Sequence, residues 1–514
     1  MTATVDRAVS EPLGDILLRL RGGHPRRVHG STEVVITSIT HDSRDVVSGS
    51  LFCCVPGGRV DGHDFALVAV AAGARALLVE RLLDIPLSQN SGTQNPETQN
   101  SGTQNFETQN FETQNSETQN SVTQIVVQDV RTAMGYFAAS LFRHPCDELT
   151  VVGVTGTNGK TTTTHLLAAI FNEAGRPAGV IGTIGAARTT PESTDLQRRL
   201  RSLADNGKQS VMMEVSSHAL VLHRVNGCHF AAAVFTNLGH DHLDLHETQE
   251  RYFAAKALLF EPSLSTVGIA NVDDVHGRLL VDAQPITMIG YSAARLADVE
   301  VSASSHSYTW VDHRVTVPIG ARFNVENSLA AATTARALDI DVDTIVAGLA
   351  RTAPVPGRFE SIEAGQSFSV VVDYAHTPDG LAVALASARE VAGSKRVIVV
   401  FGCGGDRDAH KRAPMGETAA RLADLTIVTS DNPRTEDPMS IIEAAVAGVP
   451  SSLRQRVSTQ VDRRLAIEEA FALAGEGDVV VIAGKGHEAT QTIGTSVGAF
   501  DDRVVAREIL ESLQ

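Results

Sequence analysis

From Thr150 onward, short runs of β-branched residues alternate with Ala- and Leu-rich stretches of helical period, and no other feature of the chain restricts its fold as much. Strands that alternate with helices predict βαβ units and a parallel sheet, because parallel neighbours need a long crossover. The runs fall at residues 151–154, 211–215 and 231–235. Beyond a Pro/Gly-punctuated turn at 354–357 they resume at 370–372, 397–401, 425–429 and 479–483. A boundary in that turn predicts a central α/β domain with a phosphate-loop type of parallel sheet over residues 148–355, and a C-terminal Rossmann-like domain over 356–514. Residues 1–147 are expected to form an N-terminal α/β domain, and at 514 residues the chain is long enough for three cores.

In open α/β sheets ligands bind beyond the carboxyl ends of the strands. Those ends read T-G-T-N-G-K-T-T (155–162), S-S-H-A-L (216–220), T-N-L-G-H-D-H (236–242), D-Y-A-H-T-P-D (373–379), G-C-G-G-D-R-D (402–408), S-D-N-P-R (430–434) and G-K-G-H-E (484–488). So many glycines and ionisable groups at strand ends point to chemistry between two facing domains. Gly156, Thr157, Asn158, Gly159 and Lys160 sit between an apolar strand and a helix expected over 162–173. Glycines there let backbone N–H groups wrap phosphates, while the helix N-terminus and Lys160 add positive potential. The pattern is the short G-x-x-G-K-T form, since Val rather than Gly stands at 154.

Thr161 would offer its hydroxyl to Mg²⁺. Glu214 closes the strand V-M-M-E-V, where a carboxylate is costly unless paired or metal-bound, so the two together suit a hard-oxygen cation site. The plainer readings are an ion pair for Glu214, a capping role for His242, and a solvated helix face for Lys256. Arg407 and Arg434 follow two C-terminal strands, where a guanidinium fork can grip a carboxylate; Pro433 stiffens the second loop, and ordinary surface arginines are the plainer reading.

Residues 91–120 break this texture with six copies of a pentad, S-G-T-Q-N, P-E-T-Q-N and their variants. With Phe106 and Phe111 as its only large apolar side chains, the segment is expected to be a disordered insertion over 88–124, inside the first domain. A net charge of −17 without a Lys/Arg-rich run argues against nucleic-acid or anionic-membrane binding. The chain lacks a run of 18 apolar residues and a basic-then-apolar leader, so no membrane insertion is expected. Five cysteines without a C-x-x-C pair suit reduced thiols in a cytoplasm.

The motifs G-T-N-G-K-T-T, M-E-V-S-S-H-A-L, F-T-N-L-x-x-D-H-L-D, A-A-K-A-L-L-F, P-G-R-F-E, D-Y-A-H-T-P-D, F-G-C-G-G-D-R-D, S-D-N-P-R and G-K-G-H-E occur in this order. With them the chain resembles the Mur ligases of peptidoglycan synthesis, in their diaminopimelate-adding form, over essentially everything outside 88–124. The resemblance implies a three-domain, monomeric, cytoplasmic enzyme. It would join UDP-N-acetylmuramoyl-L-alanyl-D-glutamate to meso-2,6-diaminopimelate, with ATP converted to ADP and phosphate through an acyl phosphate.

By the same resemblance, Gly156, Thr157, Asn158, Gly159, Lys160, Thr161 and Thr162 hold ATP, and Asn327, Arg358 and Asp373 attend its base, phosphate and ribose regions. Lys160, Glu214, His242 and Lys256 form the catalytic set. Thr161, Glu214, His242 and Lys256 serve Mg²⁺, Lys256 as N6-carboxylysine, whose carbamate turns a cation into an anion. Ser43, Gly58, Arg59 and Val60 correspond to the uridine end of the substrate, and Thr189, Thr190, Ser216 and Arg224 to its muramoyl-dipeptide end. Arg407, Asp431, Asn432, Pro433, Arg434, Gly484 and Glu488 match the amino-acid pocket, where Arg434 suits the second carboxylate of diaminopimelate that lysine lacks.

One departure is Gly239-His240, where the family usually has Ser or Thr followed by Arg. A lysine-adding ligase and a folylpolyglutamate-synthase-like ligase are the near alternatives, and a nucleotide-dependent switch protein is the distant one. H-D-S-R at 41–44 and D-N-P-R at 431–434 weigh against the synthase, and Lys256 with the two arginines against the switch.

Overall fold

Val, Ile and Ala fill both faces of the central strands, which is why those runs read as continuous apolar text rather than as alternation. The computed structural model describes residues 9–58, 60–85, 122–239, 243–283 and 285–513. Arg59, His240, His242 and residues 88–121 of the expected insertion lie outside these. The chain groups into two compact units: residues up to Glu148 with Pro191–Asn206 and Leu222–Cys228, and the remainder.

In the first unit a five-stranded sheet runs Arg27–His29, Thr123–Val126, Ala76–Val79, Ser50–Cys53, Ser38–Thr40, parallel except for its first strand. Leu13, Ile16, Leu51, Leu78, Ile125 and Phe137 make its core. The helix Val130–Leu141, capped by Asp129, packs on the helix Ser193–Asp205. That second helix lies within the central stretch of the sequence, yet it joins this unit because its apolar face, with Leu196 and Leu200 fully buried, has the N-terminal helix as its partner.

The insertion expected over 88–124 ends earlier than the sequence suggested. Thr123 pairs with Ala76, and Gln124 clasps Leu83, accepting from its N–H at 2.8 Å and donating to its carbonyl at 2.9 Å. Backbone pairing and a buried amide outweigh the polar composition there.

The second unit holds two six-stranded sheets. The first is wholly parallel, in the order Thr287–Tyr291, Ser265–Asn271, Phe230–Phe235, Thr150–Thr155, Ser210–Glu214, Ala178–Ile181. The second runs Glu360–Ser361, Ser369–Asp373, Val479–Ala483, Val397–Phe401, Leu425–Val428, Val457–Thr459, with only its first strand antiparallel. An antiparallel trio, Ala297–Val301, His306–Trp310 and His313–Val317, forms a separate sheet whose Tyr308, Val315 and Val317 join the core of the first. Ala303, Ala321 and Phe359 pack into the core of the second sheet, tying it to the segments that precede it. All five cysteines are free thiols. Among the described residues no helix is long and apolar enough to cross a membrane.

Candidate functional site

The strand Thr150–Thr155 delivers the chain to Gly156 (φ +147°) and Gly159 (φ +87°), dihedrals that favour glycine. Contact requires glycine as well: a Cβ on Gly156 would collide with Thr236 Oγ1, and one on Gly159 with Asn327 Oδ1. The loop is braced from the neighbouring strand end. Thr157 N–H donates to the Asn237 carbonyl (2.9 Å), Asn158 N–H to Asn237 Oδ1 (2.9 Å), Gly239 N–H to Thr157 Oγ1 (2.8 Å), and Thr236 Oγ1 to the Asn158 carbonyl (2.6 Å).

The helix Lys160–Glu173 starts two residues before the expected position. Lys160 folds back, its Nζ donating to the Gly156 and Thr157 carbonyls at 2.9 and 2.7 Å. Thr161 and Thr162 are buried in the first turn. Asn327, also buried, donates to Asn324 Oδ1 at 2.9 Å and faces Gly159.

Lys256 does not lie on a solvated face. It is 1% exposed, donates to the same Gly156 carbonyl at 2.9 Å, and sits 4.3 Å from the centroid of the Tyr252 ring. The Tyr252 hydroxyl lies 3.2 Å from Thr157 Oγ1, so one aromatic residue touches both the lysine and the loop. Sequence reasoning passed over Tyr252, although it falls one helical turn before Lys256, the spacing that puts two side chains on one face.

Glu214 ends the strand beside the loop strand, in register with Val154, and is 1% exposed. Thr183 holds it: Oε1 accepts from Thr183 N–H (2.8 Å) and Oε2 from Thr183 Oγ1 (3.1 Å). Thr190 Oγ1 donates to the Glu214 carbonyl (2.9 Å) and accepts from Ser216 N–H (3.1 Å), while Thr189 Oγ1 lies 3.0 Å from Thr183 Oγ1. Thr189, Thr190, Ser216 and Glu214 are thus one cluster, with Thr183 and Gly182 as members the sequence did not reveal. A Cβ on Gly182 would collide with the Glu214 carboxylate.

Among the described residues no group of three or more His, Cys, Asp or Glu forms a ready-made metal cage. A hydroxyl and one carboxylate are the donors Mg²⁺ accepts when water and phosphate oxygens supply the rest, so Thr161 and Glu214 fit such an ion. Lys256 as an ammonium is no ligand and would become one only on carboxylation.

One strand of the second sheet, Ser369–Asp373, leads to the same place. The helix Pro378–Ala392 starts against the phosphate loop: a Cβ on Gly239 would stand 3.5 Å from Thr157 Cγ2 and 3.6 Å from Asp379 Oδ2. Asp373 accepts from Phe359 N–H (2.8 Å) and Ala375 N–H (2.9 Å); burial holds its carboxyl above the usual range, opposed by the Arg358 guanidinium. Arg358 lies 4.6 Å from the Tyr374 ring centroid; burial pushes the pKa of His165, on the phosphate-loop helix, below its ordinary value, with Glu214 opposing and Arg358 adding to that shift.

Farther along, Asn432 Nδ2 donates to Asp431 Oδ1 (3.0 Å) and Glu488 Oε2 (2.7 Å), and Oδ1 accepts from Thr492 N–H (2.9 Å). Gly484 (φ +111°) passes so close that a Cβ would stand 2.7 Å from Asp431 Oδ2. Arg434 donates to the Gly405 carbonyl at 2.6 Å and, with Arg407, flanks Gly404. Pro433 is buried and Arg407 exposed. Lys485, fully buried and not singled out from the sequence, donates to the Thr490 carbonyl (2.6 Å) and lies 3.6 Å from Glu488.

Ser43, Gly58, Val60 and Arg224 belong to the first unit. Ser43 opens a turn capped by Asp42, Gly58 and Val60 are exposed, and Arg224 pairs with Glu192 at 2.9 Å.

Three family models match the chain: Mur ligase family, catalytic domain, over residues 35–141; Mur ligase middle domain, over 154–335; and Mur ligase, glutamate ligase domain, over 357–486. The UDP-N-acetylmuramoyl-L-alanyl-D-glutamate–2,6-diaminopimelate ligase of Geobacillus kaustophilus (strain HTA426) is 41% identical over 507 residues, which cover 93% of this chain and 96% of the relative. Its counterpart of the same name in Streptomyces avermitilis is 39% identical over 527 residues, covering 98% and 97%. A solved structure bearing that ligase's name superposes with a TM-score of 0.65 at 31% identity, covering 99% of both chains.

Proposed function

The chain belongs to the Mur ligase family, and from that premise we propose that it adds meso-2,6-diaminopimelate to UDP-N-acetylmuramoyl-L-alanyl-D-glutamate, using ATP, to build a peptidoglycan precursor. One observation carries the reading. Two arginines flank Gly404 beside a carboxylate pair bridged by Asn432, a pocket suited to a molecule with ammonium and carboxylate groups at both ends.

The chemical problem is that a carboxylate is anionic and has no leaving group. Transfer of the γ-phosphoryl group of ATP to the D-glutamyl γ-carboxylate supplies one; the amine then attacks the acyl phosphate, a tetrahedral intermediate forms, and phosphate departs. Residues 156–162 cradle the phosphates through backbone N–H groups and the helix N-terminus, and Lys160 turns from the Gly156 and Thr157 carbonyls toward them. Asn327, Arg358 and Asp373 attend the rest of the nucleotide. Thr161 and Glu214, with Lys256 once its amine has lost a proton and added CO₂, would hold Mg²⁺, and His242 belongs to the same proposed set. When bound, the ion would neutralise the converging phosphate and carboxylate charge.

Thr189, Thr190, Ser216 and Arg224 take the muramoyl-dipeptide end, and Ser43, Gly58, Arg59 and Val60 the uridine end. Arg407, Asp431, Asn432, Pro433, Arg434, Gly484 and Glu488 take the diamino acid. The proposed division is residues 1–147 for the UDP-sugar, 148–355 for ATP and 356–514 for the amino acid, in a cytoplasmic monomer.

The test is ADP release, with mass analysis of the product from a mixture of diaminopimelate and L-lysine. Release should need both the UDP-dipeptide and a diamino acid, with diaminopimelate dominating the product. Equal incorporation of lysine would overturn the amino-acid assignment, and release indifferent to both substrates would favour a switch protein.

A further inference from the structure

The proposed amino-acid pocket is built from two loops whose strands, Leu425–Val428 and Val479–Ala483, are not sheet neighbours, because Val397–Phe401 lies between them. One side chain reaches the ends of both. Arg463, 2% exposed at the start of the helix Arg463–Leu473, donates through Nη1 to the Ser430 carbonyl at 3.2 Å and through Nη2 to the Ala483 carbonyl at 2.9 Å. These are the carbonyls immediately before Asp431 and Gly484. The guanidinium is fixed in turn by Asp502, the first residue of the helix Asp502–Ser512: Nε donates to Oδ1 and Nη2 to Oδ2, both at 2.7 Å, with neither side chain exposed.

A buried ion pair is a poor source of stability, since apolar residues of like volume do as well or better. What apolar residues cannot supply is a rigid, planar fork whose spare N–H groups meet two backbone carbonyls at once. The charge also acts on Asp431 and Glu488, the two carboxylates of the pocket.

We propose that Arg463, oriented by Asp502, is a positioning residue that sets the 431–434 loop against the 484–488 loop and thereby the affinity for the diamino acid. This rests on the reading of those loops as the amino-acid pocket. Loops displaced by a fraction of an ångström lose the match between Asn432, Glu488 and the arginines, whereas the phosphate loop hangs from the strand Thr150–Thr155 of the other sheet.

The experiment measures thermal melting and the KM of each substrate for the wild type, Arg463→Lys, Asp502→Asn and, as a control, Arg434→Met. Arg463→Lys keeps the charge but loses the fork; its KM for diaminopimelate should rise about tenfold or more, with the KM for ATP and for the UDP-dipeptide shifting less than about twofold. Asp502→Asn should move the same constant in the same direction. If both variants leave that KM unchanged, or raise all three together, the positioning role is wrong. Arg434→Met separates the two ideas: if it raises the KM for diaminopimelate while the Arg463 and Asp502 variants do not, the pocket stands and the inference falls, and if it too has no effect, the pocket assignment falls first. Loss of a cooperative melt in both Arg463→Lys and Asp502→Asn would make the pair a folding element and overturn the role.

Discussion

A lysine in A-A-K on an amphipathic helix reads as solvent-facing, and Lys256 is buried because its partners, the Gly156 carbonyl and the Tyr252 ring, come from a distant loop and from its own preceding turn. Local text carries helical phase but not what docks on it. Glu214 is the opposite case: a carboxylate at the end of an apolar strand is conspicuous in the sequence, while Thr183, which holds it, is one polar residue among many. Gly182→Ala tests that arrangement, because the added methyl meets the Glu214 carboxylate. The variant should need more Mg²⁺ for half-maximal ADP release and lose roughly 10²-fold in kcat, while its melting temperature changes little. Arg434→Met should raise the KM for diaminopimelate by about 30-fold or more, as expected for loss of a charge pair, and bring lysine and diaminopimelate closer in kcat/KM. A competition assay reads both effects.

Elements were legible where burial is two-sided. The expected strands at 151–154, 397–401 and 479–483 appear within a residue of their places because Val and Ile run without polar interruption. The strands Ala297–Val301, His306–Trp310 and His313–Val317 were not foreseen, since they mix charged, aromatic and hydroxyl residues over one partly exposed face. The edge strand Thr287–Tyr291 escaped because it is short, interrupted by Gly290 and buried fully only at Tyr291. His306 fixes this trio to its surroundings, with Nδ1 bonded to the Ile319 carbonyl at 2.6 Å and Nε2 to Ser328 Oγ at 2.8 Å. Burial holds its pKa down at about 4 from an ordinary 6.5. Above pH 6.5 the ring is neutral in both folded and unfolded chains, so the full stability is present. As pH falls from 6.5 toward 4 the unfolded chain takes up the proton first, and up to about 3 kcal/mol is lost. Melts between pH 8 and 4.5 should show that decline, and His306→Gln should make it shallower within the same window without abolishing it, since burial also holds His487 down at about 4.

At the scale of the molecule, the order of the motifs predicted three α/β stretches and their chemistry, but not that Pro191–Asn206 and Leu222–Cys228 fold with the N-terminal unit. That association depends on which apolar faces meet, and Leu196 and Leu200 look like any central helix in the text. The repeat contributes no residue to the proposed site, so excising residues 88–119 should leave kcat and every KM within about twofold. A large rise in the KM for the UDP-dipeptide would show the segment to be part of the substrate site. Because Leu83 and Gln124 hold the two flanks together by paired hydrogen bonds, the chain leaves and re-enters the sheet at a single doorway. A reporter protein grafted there in place of the pentads would find both attachment points already side by side, which makes this the natural spot from which to watch the ligase in a living cell.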